Sequence, residues 1–360
     1  MRADEETFEP EAETPSTGQC SRPFEVQPGV FVRCRTRVKS KCASCAELYR
    51  GDWAAIARSG VFDGPVQNFR FYLLTLTAPS FGRVHRVPKS PDAPARVCGC
   101  RVVHTVGDVG LRGVPLDADS YDYAGQVAWN RDSGLLWDRT RRRIRDRWDS
   151  TEFFIVREWQ ERGVLHVHAL VRISRSESPD AVTLGEAARS AVAASKADGT
   201  VVGWGDQGRC DAFRADGDGA RTIWYLSKAL NYVMKDTARA ALGGHNGTWS
   251  HLVRLDAAAR SMRCSVECVP YSCSSRIHSS YGSRSHVVSA SRRTSHRTGW
   301  SFTGLTRKVQ RAFRAAWAST RAQAAQLDKP GRASCDQDGA DAARAALLRR
   351  VDVARSAVLP

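Results

Sequence analysis

The sequence predicts an α+β protein, and three stretches carry that prediction. "FRFYLLTLT" at 69–77 is β-branched and aromatic and ends in the turn residues "APSFG". "TEFFIVREWQERGVLHVHALVRI" at 151–173 reads as two apolar strands joined at a glycine. "RTIWYLSKALNYVMKDTARAAL" at 221–242 has the apolar spacing of a helix.

The remaining elements follow in chain order. The acidic opening "MRADEETFEPEAETPSTGQ" has no apolar signal core, so residues 1–19 are expected to be a disordered tail on a cytoplasmic protein. Residues 20–60 begin cysteine-rich and basic. The Gly-, Pro- and Asp-rich stretch 83–134 reads as an irregular connection. "LLWDRTRRRIRDRW" at 135–148 and "DAVTLGEAARSAVAASK" at 180–196 read as helices, with a Gly/Asp-rich loop over 199–220. Beyond 243 the chain becomes basic and Ser-rich, with helices expected near 303–327 and 339–358. No stretch approaches the roughly 20 apolar residues of a membrane span, so no membrane partner is expected.

The charge pattern points to a polyanion. The net charge is +16, and no carboxylate occurs between Glu267 and Asp328. That interval holds ten cations, among them Arg276, Arg292, Arg293, Arg297, Arg307, Lys308 and Arg311, the residues expected to grip DNA. A solvated surface normally mixes signs, so sixty residues of one sign suggest phosphate backbone as partner.

The strongest chemical signal is in the hairpin. With Glu161-Arg162-Gly163 as a three-residue loop, Glu158 stands opposite His166 and Val156 opposite His168. Alternate strand residues share a face, so Glu158, His166 and His168 converge on one side. Two imidazoles and a carboxylate make a first shell for a divalent cation with open positions. The competing reading is a pair of core histidines satisfied by local hydrogen bonds. The cysteines add a second signal. Cys42-x-x-Cys45 is the commonest half of a structural zinc site, and Cys20 and Cys34 are the natural other half. Cys98-x-Cys100 with His104, and His85 as fourth ligand, offer a second small site. Cys264, Cys268, Cys273 and His278 have looser spacing, and no metal is expected there; Cys210 and Cys335 look incidental.

These motifs resemble the HUH endonucleases, named for His-hydrophobe-His, and in particular the rolling-circle plasmid replication initiators of actinobacteria. "HVH" matches the second family motif, "LLTLTAPSFGRVH" resembles the first, and "YLSKALNYVMKD" resembles the third, a Tyr-x-x-Lys. "CGCRVVHTVGDVGLRGVPLDADSYDYAGQVAWNRDSGLLWDR", "CSRPFEV" and "CASCAELYRGD" also have the look of these initiators. The resemblance covers roughly residues 20 to 320. It implies an HUH-like antiparallel sheet flanked by helices over 66–242, while the cysteines point to a zinc module at 20–60 and the charge pattern to a basic DNA-binding region over 243–360. It further implies histidines on a central strand and a nucleophilic tyrosine on a facing helix.

Tyr225, Lys228, Tyr232 and Lys235 fall within roughly an 80° arc of one helix. A tyrosine titrates near pH 10, and a lysine one turn on favours its phenolate. Two tyrosines fit the motif; the aspartate after Lys235 favours Tyr232, with Tyr225 as a second nucleophile or a packing residue. The implied activity is nicking of a plasmid origin with Mg2+ or Mn2+, leaving a 5′-phosphotyrosine and a 3′-hydroxyl primer. The DNA would be single-stranded at the nick. No Walker-type motif is present, so a host helicase and polymerase are implied partners. The alternatives are a transposase or relaxase of the same chemistry, or a zinc-containing regulator that only binds DNA.

Overall fold

The computed structural model describes residues 20–231, 246–283 and 287–316. The chain divides into two compact units, residues 1–51 and 52–360. In the first, β1 (Phe24–Gln27) and β2 (Val30–Val32) form a hairpin. Its turn uses Gly29 at φ +75°, where a side chain would be strained. Cys20, Cys42 and Cys45 are the unit's buried centre, with Cys34 packed against them. The helix α1 (Ala43–Phe62) opens in this unit, and its residues from Asp52 onward belong to the second.

The second unit is built on a five-stranded antiparallel sheet. Its strands are β3 (Phe69–Leu76), β4 (Glu152–Trp159), β5 (Leu165–Ser174), β8 (Arg209–Phe213) and β9 (Val288–Ala290), in the order β8-β3-β5-β4-β9. Central β5 is covered on both faces, which is why its apolar run is nearly unbroken. Leu165, Val167, Ala169, Val171 and Ile173 face a core shared with α2 (Tyr123–Arg145), α3 (Ala181–Arg189) and the short hairpin β6 (Val192–Ala194)–β7 (Val201–Gly203). Leu170 faces the other core with Phe71, Phe154 and Val156, under the second half of α1, the helix α4 (Gly217–Asn231) and Trp300.

Several elements differ from expectation. The helix α2 starts at Tyr123, inside the stretch expected to be irregular. Asp122 caps it by accepting from the Gly125 amide, and Val127 and Trp129 supply the buried face that its glycines obscure. The helix expected over 180–196 stops at Arg189, because Ala191 and Ala193 are needed in the core beside β7. The loop expected over 199–220 contains β7 and the edge strand β8. The basic stretch after 243 supplies α5 (Asn246–Ser261) against α2, the edge strand β9, and Trp300 to the same core as α4. Residues 307–316 are helical. The expected helix at 339–358 lies outside the described residues. No described helix is long and apolar enough to cross a membrane.

Candidate functional site

The β4–β5 hairpin pairs Glu158 with His166 and Val156 with His168, the register expected from its loop length. The loop closes with the Gln160 amide donating to the Val164 carbonyl, and Gly163 takes φ +74°. A Cβ there would also lie 2.8 Å from Leu255, so glycine is required twice over. Because the strand period is two, Glu158, His166 and His168 emerge on the face that carries α4.

The contacts among them are specific. His168 Nε2 lies 3.6 Å from a Glu158 carboxylate oxygen. The other ring nitrogen, Nδ1, lies 3.1 Å from the Thr75 hydroxyl on the neighbouring strand β3. The His166 and His168 rings meet edge to face with centroids 4.6 Å apart. Gln160 Nε2 stands 3.4 Å from His166 Nδ1 and so donates to it, while Arg162 Nε donates to the Gln160 oxygen. Ligation through His166 Nε2 therefore needs the Gln160 amide turned, so that its oxygen accepts from Nδ1–H.

Burial, helped by neighbouring His168, pushes His166 down to about 4, so it is neutral and able to ligate at physiological pH. Burial opposes ionisation of Glu158, but the hydrogen bond from His168, with His166 and Lys89 nearby, holds its carboxyl below the usual range. One carboxylate and two imidazoles, with His168 Nδ1 held by the Thr75 hydroxyl, fit a divalent cation. The three are less tightly drawn together than the Cys/His groups described below.

Tyr225 closes this side of the cleft. Ile223 and Leu226 anchor α4 in the core, and the Tyr225 ring stands edge-on to His168 with centroids 5.6 Å apart. The phenol is half exposed. Burial and the Glu158 charge both raise its pKa, so a cation offsetting Glu158 would ease its ionisation. Lys228 lies on α4; Tyr232 and Lys235 lie outside the described residues.

The cleft around these groups measures about 680 Å³, and Lys89, Arg112 and Arg162 line it. An adjoining cleft of about 930 Å³ shares those three cations and adds Arg83 and Arg86. None of these five was singled out in the sequence, because they sit in loop and turn segments without periodicity. Arg86 and Lys89 follow the first motif directly, whereas Arg112 and Arg162 are far from it in sequence.

The cations of the carboxylate-free segment divide in two. Arg276, Arg292, Arg293, Lys308 and Arg311 are exposed. Arg297 instead pairs with Glu152 at 3.1 Å and Asp149 at 3.2 Å, and Arg307 pairs with buried Asp52 at 3.4 Å. The absence of acids in the segment hid these partners, which come from distant sequence.

Among the described residues, three groups bring four metal-ligand atoms within 4.8 Å of one another: Cys20, Cys34, Cys42 and Cys45; His85, Cys98, Cys100 and His104; and Cys264, Cys268, Cys273 and His278. Each can hold a metal ion. The third converges despite the loose spacing from which no metal was expected. Irregular backbone after α5 folds the loosely spaced ligands together, and His278 Nδ1 donates to the Ala259 carbonyl at 2.7 Å, leaving Nε2 facing Cys268 at 3.5 Å.

Comparison with known proteins gives the class first. A replication initiator protein from Streptomyces ambofaciens is 31% identical over 289 residues, which is 68% of this chain and 61% of the relative. The chain thus spans about three fifths of that relative's length. The family model RepSA, described as the replication initiator protein of pSAM2, matches residues 9–351, and the chain belongs to that family. No solved structure matches.

Proposed function

We propose that this chain starts rolling-circle plasmid replication in the cytoplasm as an HUH-type nuclease, by nicking one strand of the origin with a tyrosine. The observation that carries the reading is Glu158 and His168 in contact at 3.6 Å, with His166 beside them and Tyr225 edge-on to His168, in a cleft lined by cations. Arg112, Arg162 and Lys89 are suited to hold the phosphates flanking the scissile bond. Glu158, His166 and His168 would hold Mg2+ or Mn2+, which when bound supplies Lewis-acid polarisation of the scissile phosphate. The tyrosine oxygen attacks phosphorus and displaces the 3′-oxygen of the adjoining nucleotide, giving a 5′-phosphotyrosine and a free 3′-hydroxyl. A host polymerase would extend that hydroxyl and a host helicase would supply the single strand.

Two tyrosines remain candidates. Position beside the histidines supports Tyr225, whereas the Lys-Asp that follows supports Tyr232, with Lys228 and Lys235 as the cations one turn on. The Cys20, Cys34, Cys42 and Cys45 group would carry a structural Zn2+. Incubation with a single-stranded origin oligonucleotide and Mn2+, followed by peptide mapping of the covalent adduct, tests the reading. An adduct on either tyrosine supports it; nicking with no adduct would mean a water-activating nuclease.

A further inference from the structure

The wall of the cationic cleft is a puzzle of stability. From residue 77 to 105 the chain forms neither helix nor strand, only isolated bridges between Val84 and Pro115 and between Val97 and Val103. Irregular segments of this length are uncommon in compact domains unless something pins them. Yet this one carries Arg83 and Arg86 along the larger cleft and Lys89 along both.

The pin is visible in the side chains. His85 Nδ1 and His104 Nε2 are 3.1 Å apart, Cys100 Sγ is 3.2 Å from His104 Nε2, and Cys98 Sγ is 3.9 Å from His85 Nδ1. All four converge through atoms able to ligate, although His85 precedes the others by a thirteen-residue gap to Cys98. The shell around them has the features of a metal site. The Arg86 amide donates to Cys98 Sγ at 3.3 Å, and Asp108 stands 3.6 Å from His104 Nδ1, where it would fix the tautomer that frees Nε2. Asp108 is itself held by the amide of Thr105 at 2.8 Å. The knuckle also touches the wall directly: a Cβ on Gly99, between the two cysteines, would lie 2.7 Å from the Arg83 guanidinium.

We infer that His85, Cys98, Cys100 and His104 bind one Zn2+ ion whose role is to hold the loop bearing Arg83, Arg86 and Lys89 in place against a DNA strand. Two sulfurs and two imidazole nitrogens are a tetrahedral zinc donor set. The ion closes the loop that hydrogen bonds alone leave weakly constrained. The zinc site stands on its own geometry; the strand-holding role rests on the cleft being the DNA channel proposed above.

Zinc content of freshly purified, reduced protein should fall by one equivalent in Cys98→Ser/Cys100→Ser, and an unchanged content overturns the site. Should that variant fail to fold, thiol alkylation of the wild type decides. Half-buried Cys100 should be protected until the metal is chelated, and equal labelling with and without chelator overturns the site. Binding of a short fluorescent oligothymidylate tests the role. With three phosphate contacts at about 0.7 each, the slope of log K against log salt should flatten by about 2 in the metal-free variant. The zinc-loaded Arg83→Ala/Arg86→Ala/Lys89→Ala protein should flatten equally. If it does not, the cleft reading fails while the zinc site stands. If the triple variant flattens and the metal-free variant does not, the supporting role of the ion is overturned.

Discussion

Thr75→Val isolates the contribution of a residue that touches neither DNA nor metal in the proposed arrangement. The Thr75 hydroxyl is 3.1 Å from His168 Nδ1 and stands opposite His168 in the β3–β5 register. Valine keeps the shape and β-propensity and removes only the hydroxyl. A neutral hydrogen bond contributes about 1 kcal/mol net, roughly a fivefold change in an equilibrium. Supporting hydrogen bonds on metal-bound histidines typically govern affinity by about 10–100-fold. The two estimates meet near tenfold, so Mn2+ should bind about tenfold more weakly to Thr75→Val. Calorimetric Mn2+ titration measures this directly, and nicking at saturating Mn2+ should recover most of the wild-type rate. Unchanged affinity would refute the claim that the Thr75 hydroxyl supports His168 as a ligand. A rate lost even at saturation would mean that the hydroxyl acts on the reaction rather than on the ligand.

Four further outcomes are expected. Tyr225→Phe and Tyr232→Phe should divide the covalent step: whichever abolishes the phosphotyrosine adduct in denaturing gels marks the nucleophile, and adduct persisting in both single variants would mean either oxygen serves. Trp300→Ala removes a fully buried indole that donates to the Ile56 carbonyl at 3.1 Å, and should cost about 3–5 kcal/mol in urea unfolding; a loss under about 1 kcal/mol would mean the basic segment is not part of the core. Burial holds His166 near 4 in the folded protein against an ordinary value near 6.5, so the unfolded chain takes up the proton first as pH falls. Metal-free protein should therefore lose stability as pH drops from about 6.5 to 4, and His166→Asn should flatten that limb of the urea midpoint profile. Replacing Arg276, Arg292, Lys308 and Arg311 by alanine should flatten the salt dependence of duplex binding by up to about 0.9 per contact, with the melting temperature little changed; an unaltered slope would locate the duplex grip elsewhere. Deleting the whole segment would not test this, because β9 and Trp300 would go with it.

The sequence by itself determined the hairpin and what it carries. Two apolar runs about a glycine allow one register, and period-two geometry then fixes Glu158, His166 and His168 on a common face. The Cys42-x-x-Cys45 group was legible for a similar reason, since a two-residue spacer constrains both thiols locally. Local signals failed where the partner was remote. The start of α2 was hidden by glycines whose helical state depends on burying Val127 and Trp129. The Cys264, Cys268, Cys273 and His278 group is gathered by irregular backbone that no spacing rule describes. Only tertiary structure decided that Arg297 and Arg307 serve internal ion pairs, while Arg83, Arg86, Lys89, Arg162 and Arg112, the last also paired with Glu161, line the two adjoining clefts. The physical reason is the range of the interaction. Strand alternation and short chelate spacings act between residues close in sequence. The role of a charge depends on which other groups the completed fold brings within a few ångströms.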